Sequence, residues 1–129
     1  TELAISEPVD PEELGGWRVH AQQTGMIDAV AGTDGEALDI VRRFLSYLPS
    51  HAGEPPPEAP VPAGSGERQE RLLTIVPEQR NRVYDVRKAI EVIVDAGSWF
   101  PLKDGFAKVA VTGLARIGGL YYVSLTFDE

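Results

Sequence analysis

The chain has 129 residues, of which 43% are hydrophobic and 25% charged, which indicates one globular domain, or pieces of two, with a modest core. The formal net charge of −8 argues against nucleic acid as a main partner, because neutralising phosphates needs clustered lysine and arginine. No apolar run reaches the roughly 20 residues that a membrane-spanning helix needs, so we expect no membrane partner. There is no cysteine and no secretory pattern in the first seven residues, which excludes disulfides and thiol catalysis and predicts a cytoplasmic protein.

Charge is distributed unevenly along the chain. Residues 1–70 hold 13 acidic and 4 basic residues, whereas residues 71–129 hold 7 acidic and 8 basic residues. The second half is therefore the better host for an anionic ligand. The alternative is that the acidic residues of the first half simply keep the protein soluble.

The first half predicts two helices with a strand between them. Residues 15–23 form a short helix that begins at a glycine pair, and residues 26–30 are apolar, which predicts a buried strand. Thr33 and Glu36 have the spacing of a capping box. Apolar residues then follow at helical spacing until Pro49 ends the pattern.

A proline-rich connector separates the two halves. Six of the ten prolines lie between residues 49 and 62, which predicts an extended, non-helical segment over residues 49–66. The chain therefore divides into residues 1–48, a linker over residues 49–71, and residues 72–129.

The second half predicts one amphipathic helix. A short apolar segment over residues 72–76 ends at Pro77. Asp85 is placed to cap a helix that runs to about Ala96, with Gly97 as its stop.

Strands follow that helix. They are predicted at residues 99–100, 107–115 and 120–127, and the last of them alternates with a period of two. Helices between short apolar strands indicate an α/β arrangement. Each half has too few strands to close a sheet alone.

Two glycine pairs each lie beside a cationic residue. The first pair is Gly15 and Gly16, followed by Arg18, and the second is Gly118 and Gly119, preceded by Arg116. Backbone N–H groups beside such pairs can stabilise an oxyanion, as thioester or enolate chemistry requires. The alternative is that the glycines only form tight turns.

Arg116 lies in an otherwise apolar strand and therefore requires a partner. Its guanidinium offers a fixed charge to the carboxylate or phosphate of a ligand. The alternative is a buried ion pair with an aspartate or glutamate of the chain itself.

His20 is the candidate proton carrier, either as a general base or as a group that orients a ligand. The alternative is a structural histidine held by hydrogen bonds. His51 lies in the connector, where we expect solvent around it. No serine nucleophile motif is present, and no ligand-type residues have metal-site spacing, so we predict no metal.

A cationic cluster lies around the start of the predicted second-half helix. Its members are Arg80, Arg82, Arg87 and Lys88. The cluster can receive the phosphates of a nucleotide-like ligand. A solvated helix entrance is the alternative.

At these residues the sequence resembles the carboxyltransferase β subunits of biotin-dependent acyl-CoA carboxylases, such as propionyl-CoA and acetyl-CoA carboxylase. The resemblance is carried by residues 14–20 (LGGWRVH), 24–28 (TGMID), 42–49 (RRFLSYLP) and 113–119 (GLARIGG). It covers about residues 10–119.

The resemblance implies a partial crotonase-like (ClpP/crotonase) fold of ββα units. The chain would be a truncated fragment spanning the region between two carboxyltransferase domains and completed by oligomerisation. It also implies transfer of a carboxylate from carboxybiotin to the α-carbon of an acyl-CoA, with neither bound covalently to this chain. The implied partners are further copies of the chain, acyl-CoA and a biotin carboxyl carrier.

In that setting Arg116 would meet a carboxylate, with His20 as the proton carrier. Of the substrate-binding residues, the resemblance implies Gly118 and Gly119 as close neighbours of Arg116. The residue patterns described above add Gly15, Gly16, Arg18, Arg80 and Arg82. The leading hypothesis is thus carboxyl transfer, or decarboxylation through an enolate, on a CoA- or carrier-bound thioester.

Two alternatives stay open at this point. The chain could be a non-catalytic interaction module of a carboxylase complex, or a fragment repurposed for another reaction on an apolar metabolite. The second alternative would use the aromatic residues Trp99, Phe100, Tyr121, Tyr122 and Phe127, although core packing explains them equally well.

Overall fold

The computed structural model describes residues 10–65, 69–79, 82, 84–123 and 127–128. The helices within these residues are α1 (Pro11–Gly15), α2 (Trp17–Gln22), α3 (Asp34–Leu45), α4 (Leu72–Ile75), which follows a 3₁₀ turn at Gln69–Arg71, and α5 (Val86–Ile93). The strands are β1 (Phe100–Leu102), β2 (Ala110–Ile117), β3 (Leu120–Val123) and β4 (Phe127–Asp128). In this described part of the chain, no helix is long and apolar enough to cross a membrane.

The first two helices meet at Gly16, which ends α1 and caps the start of α2. Its N–H group donates to the carbonyl of Glu12 at 2.9 Å, and a Cβ at this position would overlap the Glu12 backbone. Asp10 caps α1, because its carboxylate accepts the N–H of Glu12 at 3.0 Å. The short helix predicted over residues 15–23 is confirmed as α2.

Residues 26–30 do not form the buried strand that the sequence predicted. Met26 is 73% exposed and Val30 is 48% exposed. The backbone bonds to a loop instead, since the carbonyl of Asp28 accepts the N–H of Lys103 at 2.8 Å. The ammonium group of Lys103 also pairs with the Asp28 carboxylate at 3.0 Å. The prediction was wrong because a short apolar run does not reveal that its backbone partners come from a distant loop.

Helix α3 begins where the capping box predicted. The N–H of Glu36 donates to the hydroxyl of Thr33 at 3.2 Å. The Glu36 carboxylate accepts the N–H of Gly32 at 2.7 Å, one residue earlier than in the usual box. The helix ends at Leu45, before Pro49 is reached, and Ser46 is its C-cap.

The connector forms neither helix nor strand from Pro49 to Ser65, as predicted. It is docked rather than free, because the N–H of Ala59 donates to the carbonyl of Gly119 at 2.9 Å. A Cβ at Gly119 would overlap the Ala59 carbonyl oxygen, so glycine permits this approach. The division at residues 48 and 71 stays a prediction.

Helix α5 is amphipathic and supplies much of the core. Asp85 caps it, with its carboxylate accepting the N–H of Arg87 at 3.1 Å, as predicted. Val86 and Ile90 are buried. The helix ends at Ile93, earlier than expected, because the next residue is already extended.

The strands form antiparallel pairs around β2. The order is β1-β2-β3, and β4 pairs with the start of β2. Phe100 lies opposite Leu114 in the first pair, and Arg116 lies opposite Tyr121 in the second. Strands were predicted in these regions, but residues 124–126 of the predicted strand 120–127 lie outside the described residues.

The two faces of β2 are covered by different helices. Val111 and Ala115 pack with Val86, Ile90 and Val94 of the α5 region. On the opposite face, Leu114 packs with Phe100 and with Tyr47, just beyond α3. Because side chains alternate along a strand, Arg116 lies on the α3 face with Leu114. The core therefore joins the segments on both sides of the connector.

Gly113→Ala is expected to destabilise the fold, and Gly35→Ala to stabilise it. A Cβ at Gly113 would lie 2.5 Å from both the Phe100 carbonyl oxygen and the Trp99 ring, whereas the nearest contact at Gly35 is 3.9 Å. Overpacking should lower the unfolding free energy by about 1–3 kcal/mol. In helix α3, alanine should raise it by about 0.5–1 kcal/mol. Urea denaturation measures both, and an unchanged Gly113→Ala variant would contradict the packing described.

Candidate functional site

Arg116 is anchored on the end of α3. Its Nη2 donates to the carbonyl oxygen of Ser46 at 2.6 Å, which satisfies an acceptor at the helix C-terminus. The guanidinium carbon also lies 4.3 Å from the centre of the Tyr47 ring, close enough for a cation–π contact. These contacts hold the side chain in one place.

The charge of Arg116 has no counter-ion among the described residues. Its contacts there are a carbonyl, a hydroxyl and an aromatic ring, and no acidic side chain forms an ion pair with it. Its Nε is buried and has no hydrogen-bond partner in the same part of the chain. The ion pair considered as the alternative is therefore not found there, and the guanidinium stays uncompensated.

The backbone of Arg116 is fixed by the turn over residues 95–98. Its carbonyl accepts the N–H of Asp95 at 2.7 Å and the hydroxyl of Ser98 at 3.2 Å. Its own N–H donates to the Ser98 hydroxyl oxygen at 3.0 Å. Both the N–H and the carbonyl of Arg116 are thus hydrogen-bonded to this turn, which fixes the end of β2.

Asp95 also holds the glycine pair that follows. Its buried carboxylate accepts the N–H of Gly118 at 3.1 Å and that of Gly119 at 2.7 Å. Both glycines have positive φ, 62° and 78°, as a two-residue hairpin turn between β2 and β3 requires. Their amides are therefore occupied by a carboxylate of the chain itself. Their assignment to substrate binding stays a prediction, and this geometry favours the turn.

The end of α3 is fastened to the same turn by two further side chains. Arg43 donates from Nη2 to the carbonyls of Gly97 at 3.0 Å and Trp99 at 2.6 Å. The Tyr47 hydroxyl donates to the carbonyl of Ser98 in a short hydrogen bond. Helix α3, the turn at residues 95–98 and the end of β2 consequently form one hydrogen-bonded unit.

The first glycine pair and His20 lie together at α1 and α2. Nδ1 of His20 lies 3.2 Å from the Thr24 hydroxyl. A Cβ at Gly15 would lie 3.9 Å from Nε2 of His20, so that nitrogen faces the end of α1. Arg18 is exposed, with its guanidinium 4.6 Å from the Trp17 ring centre.

The predicted site residues thus form two groups. One surrounds His20 and the other Arg116, and no hydrogen bond or ion pair between described residues joins the two groups. Arg82 is exposed, and its N–H donates to the carbonyl of Gln79 at 3.1 Å. Arg80 lies outside the described residues.

Two clefts lie near these groups. A cleft of about 560 Å³ adjoins the turn at residues 95–98 and includes Arg71, Lys88 and Trp99. A second of about 420 Å³ lies between α2, α3 and β1 and includes Trp17 and Phe100. Neither His20 nor Arg116 lines either cleft.

Comparison with known proteins decides the family. The model of the carboxyl transferase domain matches residues 1–124. The chain belongs to the carboxyl transferase domain family. It is 37% identical over 120 residues to the uncharacterized carboxylase YngE of Bacillus subtilis, covering 92% of this chain and 23% of the relative. It is 35% identical over 114 residues to the propionyl-CoA carboxylase beta chain of Roseobacter denitrificans, covering 88% and 22%.

Solved structures confirm the fold. Transcarboxylase 12S, reported as a hexamer assembly with hydrolyzed methylmalonyl-coenzyme A bound, superposes with a TM-score of 0.87 at 32% identity. The superposition covers 99% of this chain and 24% of that one. A single-chain long-chain acyl-CoA carboxylase superposes with a TM-score of 0.72 at 29% identity, covering 99% and 12%. The resemblance to a carboxyltransferase and the partial crotonase-like α/β fold are therefore confirmed, and the chain spans less than a quarter of these relatives.

Several residues of this carboxyltransferase-family site escaped sequence reasoning. Asp95, Ser98, Ser46 and Tyr47 hold Arg116 and its turn, yet none has a distinctive local motif. The available signal was an Asp-Ala-Gly-Ser run after an amphipathic helix, which is typical of any loop.

Asp95→Ala should destabilise the carboxyltransferase fold far more than Asp28→Ala does. Removal of the Asp95 carboxylate leaves two amides of the hairpin turn without their acceptor, which should cost about 2–3 kcal/mol of unfolding free energy. Asp28 pairs with Lys103 at the surface, where its side chain is 61% exposed, so its loss should cost at most about 1 kcal/mol. Equal losses in thermal or urea unfolding would argue against Asp95 as the anchor of the turn.

Proposed function

We propose that this chain takes part in carboxyl transfer, or in decarboxylation through an enolate, on a CoA- or carrier-bound thioester such as methylmalonyl-CoA. The observation that carries the proposal is the fixed guanidinium of Arg116, which has no counter-ion among the described residues of a carboxyltransferase-family chain. A guanidinium forms strong, charge-assisted hydrogen bonds with a carboxylate.

Arg116 has hydrogen-bond donors that are available to a ligand. The side-chain hydrogen bonds of Arg116 to described residues all leave from Nη2, so Nη1 keeps its two N–H groups. The Tyr47 ring and the Ser46 carbonyl hold the guanidinium plane, so little side-chain freedom is lost when a carboxylate binds. Arg116 would thereby orient the carboxylate that is transferred or lost.

We assign the glycine pairs a supporting part. The amides of Gly118 and Gly119 already donate to Asp95, and that of Gly16 donates to Glu12. An oxyanion would have to displace these acceptors. The pairs instead bring Arg116 and His20 into place through the turns that they form, and the approach of a ligand passes beside them.

His20 is the proposed proton carrier. Its Nδ1 is engaged with the Thr24 hydroxyl, which leaves Nε2 for proton transfer. In decarboxylation, the bond between the α-carbon and the carboxylate breaks, CO₂ leaves, and the enolate formed takes a proton at the α-carbon. Imidazolium can supply that proton.

The site would be completed by another chain. His20 and Arg116 belong to separate groups of residues and line neither of the two clefts, so neither cleft brings them together in a site within a single copy. An assembly of several copies, with carboxybiotin on a carrier as the other reactant, would cover it. The hexamer assembly reported for transcarboxylase 12S supports this part of the proposal.

Arg116→Ala should weaken methylmalonyl-CoA binding by about tenfold or more, because one charge-assisted contact is lost. Arg116→Lys should retain part of the affinity, since the charge remains but the planar fork does not. Arg42→Ala is the matched control, because Arg42 is exposed and already paired with Asp39 at 3.0 Å. Calorimetric titration of the folded variants measures all three, and equal affinities would contradict the role of Arg116.

His20→Asn should lower turnover of methylmalonyl-CoA about 100-fold while leaving its affinity unchanged, because general acid catalysis contributes on that order. His51→Asn is the control, since His51 lies in the connector and pairs with Glu54 at 3.2 Å. Release of CO₂ or transfer to free biotin provides the assay. Turnover that survives in His20→Asn would remove the histidine from the proposal.

A further inference from the structure

The cleft of about 560 Å³ has no part in the proposed function. It lies between helix α5 on one side and α4 with its preceding 3₁₀ turn on the other, and is here called the α4–α5 cleft. Lys88 and Glu91 line it from α5, and Arg71 and Thr74 line it from the other side. Its volume lies within the range of about 300–1,000 Å³ that is typical of sites for small organic ligands.

The floor of the α4–α5 cleft is apolar. Val92 and Val94 are buried there, and the half-buried Trp99 packs against the core beside α5. A Cβ at Gly113 would overlap the Cη2 and Cζ2 atoms of Trp99, so one edge of the indole lies on the backbone of β2. The indole is thereby fixed, and its accessible part offers a planar aromatic surface to a ligand in the cleft. Nucleobases stack on such surfaces.

The rim of the cleft carries two cations that have no partner among the described residues. Arg71 and Lys88 are exposed, and neither forms an ion pair or a side-chain hydrogen bond in that part of the chain. They come from the two sides of the cleft. A phosphate group accepts charge-assisted hydrogen bonds from a guanidinium and from an ammonium. The rim is therefore suited to a phosphate.

Glu91 adds a hydrogen-bond acceptor to the same cleft. It lies three residues after Lys88 and so on the same side of α5, yet the two side chains do not form an ion pair. An ionised carboxylate only accepts hydrogen bonds, so it suits an amino group of a ligand. A phosphate, a planar ring and an amino group on that ring together describe a nucleotide.

We propose that the α4–α5 cleft binds a nucleoside monophosphate whose base carries an amino group. Its phosphate lies between Arg71 and Lys88, and its base lies against Trp99 with the amino group donating to Glu91. This site goes beyond the proposed function, because Arg116 lies on the opposite face of β2 and does not line the cleft. A free nucleotide and the nucleotide end of CoA share this chemistry, and the experiment separates the two sources.

The fluorescence of Trp99 reports on binding directly. The chain has two tryptophans, and Trp17→Phe leaves Trp99 as the only one. Trp17 is 44% exposed, so the exchange should not disturb the core. Titration of this full-length variant with AMP should quench the fluorescence to a plateau, because the base stacks on the indole.

Two charge variants in the Trp17→Phe background locate the phosphate. Lys88→Gln and Arg71→Gln should each weaken AMP binding about tenfold, because one charge-assisted contact is lost. Arg87→Gln is the matched control, since it removes the same charge from the same helix. Arg87 pairs with Asp104 at 3.4 Å and does not line the cleft, so AMP affinity should not change.

Inosine monophosphate tests the contact with Glu91. It carries a carbonyl where AMP carries the amino group, so the Glu91 carboxylate would face a second acceptor. AMP should therefore bind about tenfold more tightly than inosine monophosphate. Glu91→Gln should reduce this preference, because its amide can donate to the carbonyl.

An absence of saturable quenching up to about 1 mM AMP would overturn the proposal. So would a loss of affinity in Arg87→Gln that equals the loss in Lys88→Gln. CoA that displaces AMP more effectively than free AMP itself would identify the nucleotide end of CoA as the ligand, and weaker or no displacement would identify a free nucleotide.

Arg116→Ala separates this inference from the proposed function. It should leave AMP affinity unchanged, because the guanidinium lies outside the cleft. AMP binding in a chain that fails to bind the methylmalonyl carboxylate would count against the proposed function alone. A chain that binds this carboxylate through Arg116 but never binds AMP would count against the nucleotide site alone.

Discussion

The attachment of the end of β2 to the turn at residues 95–98 is the contact on which the described site depends. Asp95 and Ser98 bind the backbone of Arg116 from both sides, and the Asp95 carboxylate holds the two glycine amides that follow. Each of these hydrogen bonds involves a buried or half-buried group. Each therefore compensates for a hydrogen bond to water that the group loses on folding. The hairpin turn and the position of Arg116 are therefore fixed by the same few atoms.

The same turn also binds helix α3, which precedes the connector in the sequence. Arg43 and Tyr47 bind its carbonyls, and Arg116 returns a hydrogen bond to the end of that helix. These bonds fix the position of α3 over the sheet, with its inner face on Phe100 and its outer face in solvent. One arginine thus serves as a helix cap and presents an uncompensated charge. That combination is what a rigid carboxylate-binding group requires.

Local sequence signals predicted helices α2, α3 and α5 and the strand regions that follow α5. The Thr33–Glu36 box and the Asp85 cap act between nearby residues, so their spacing reveals them, and the tight turn at residues 118–119 was one of the two alternatives for that glycine pair. The partners of Arg116 and Lys103 lie 70 and 78 residues away along the chain, at Ser46 and Gly25, and no local pattern reports them. The wrong strand at residues 26–30 and the missed role of Asp95 have this common cause. Arg116 itself was found because a cation in an apolar strand is unusual wherever it lies.

The central claim is that the Arg116 guanidinium receives the carboxylate of a thioester substrate. The Nε proton of Arg116 reports on this directly, because it is buried and has no described partner. Its signal in a ¹H–¹⁵N spectrum, assigned by its loss in Arg116→Lys, should shift on addition of methylmalonyl-CoA. It should stay in place on addition of propionyl-CoA, which lacks the carboxylate. A signal that moves equally with both ligands, or with neither, would contradict the account.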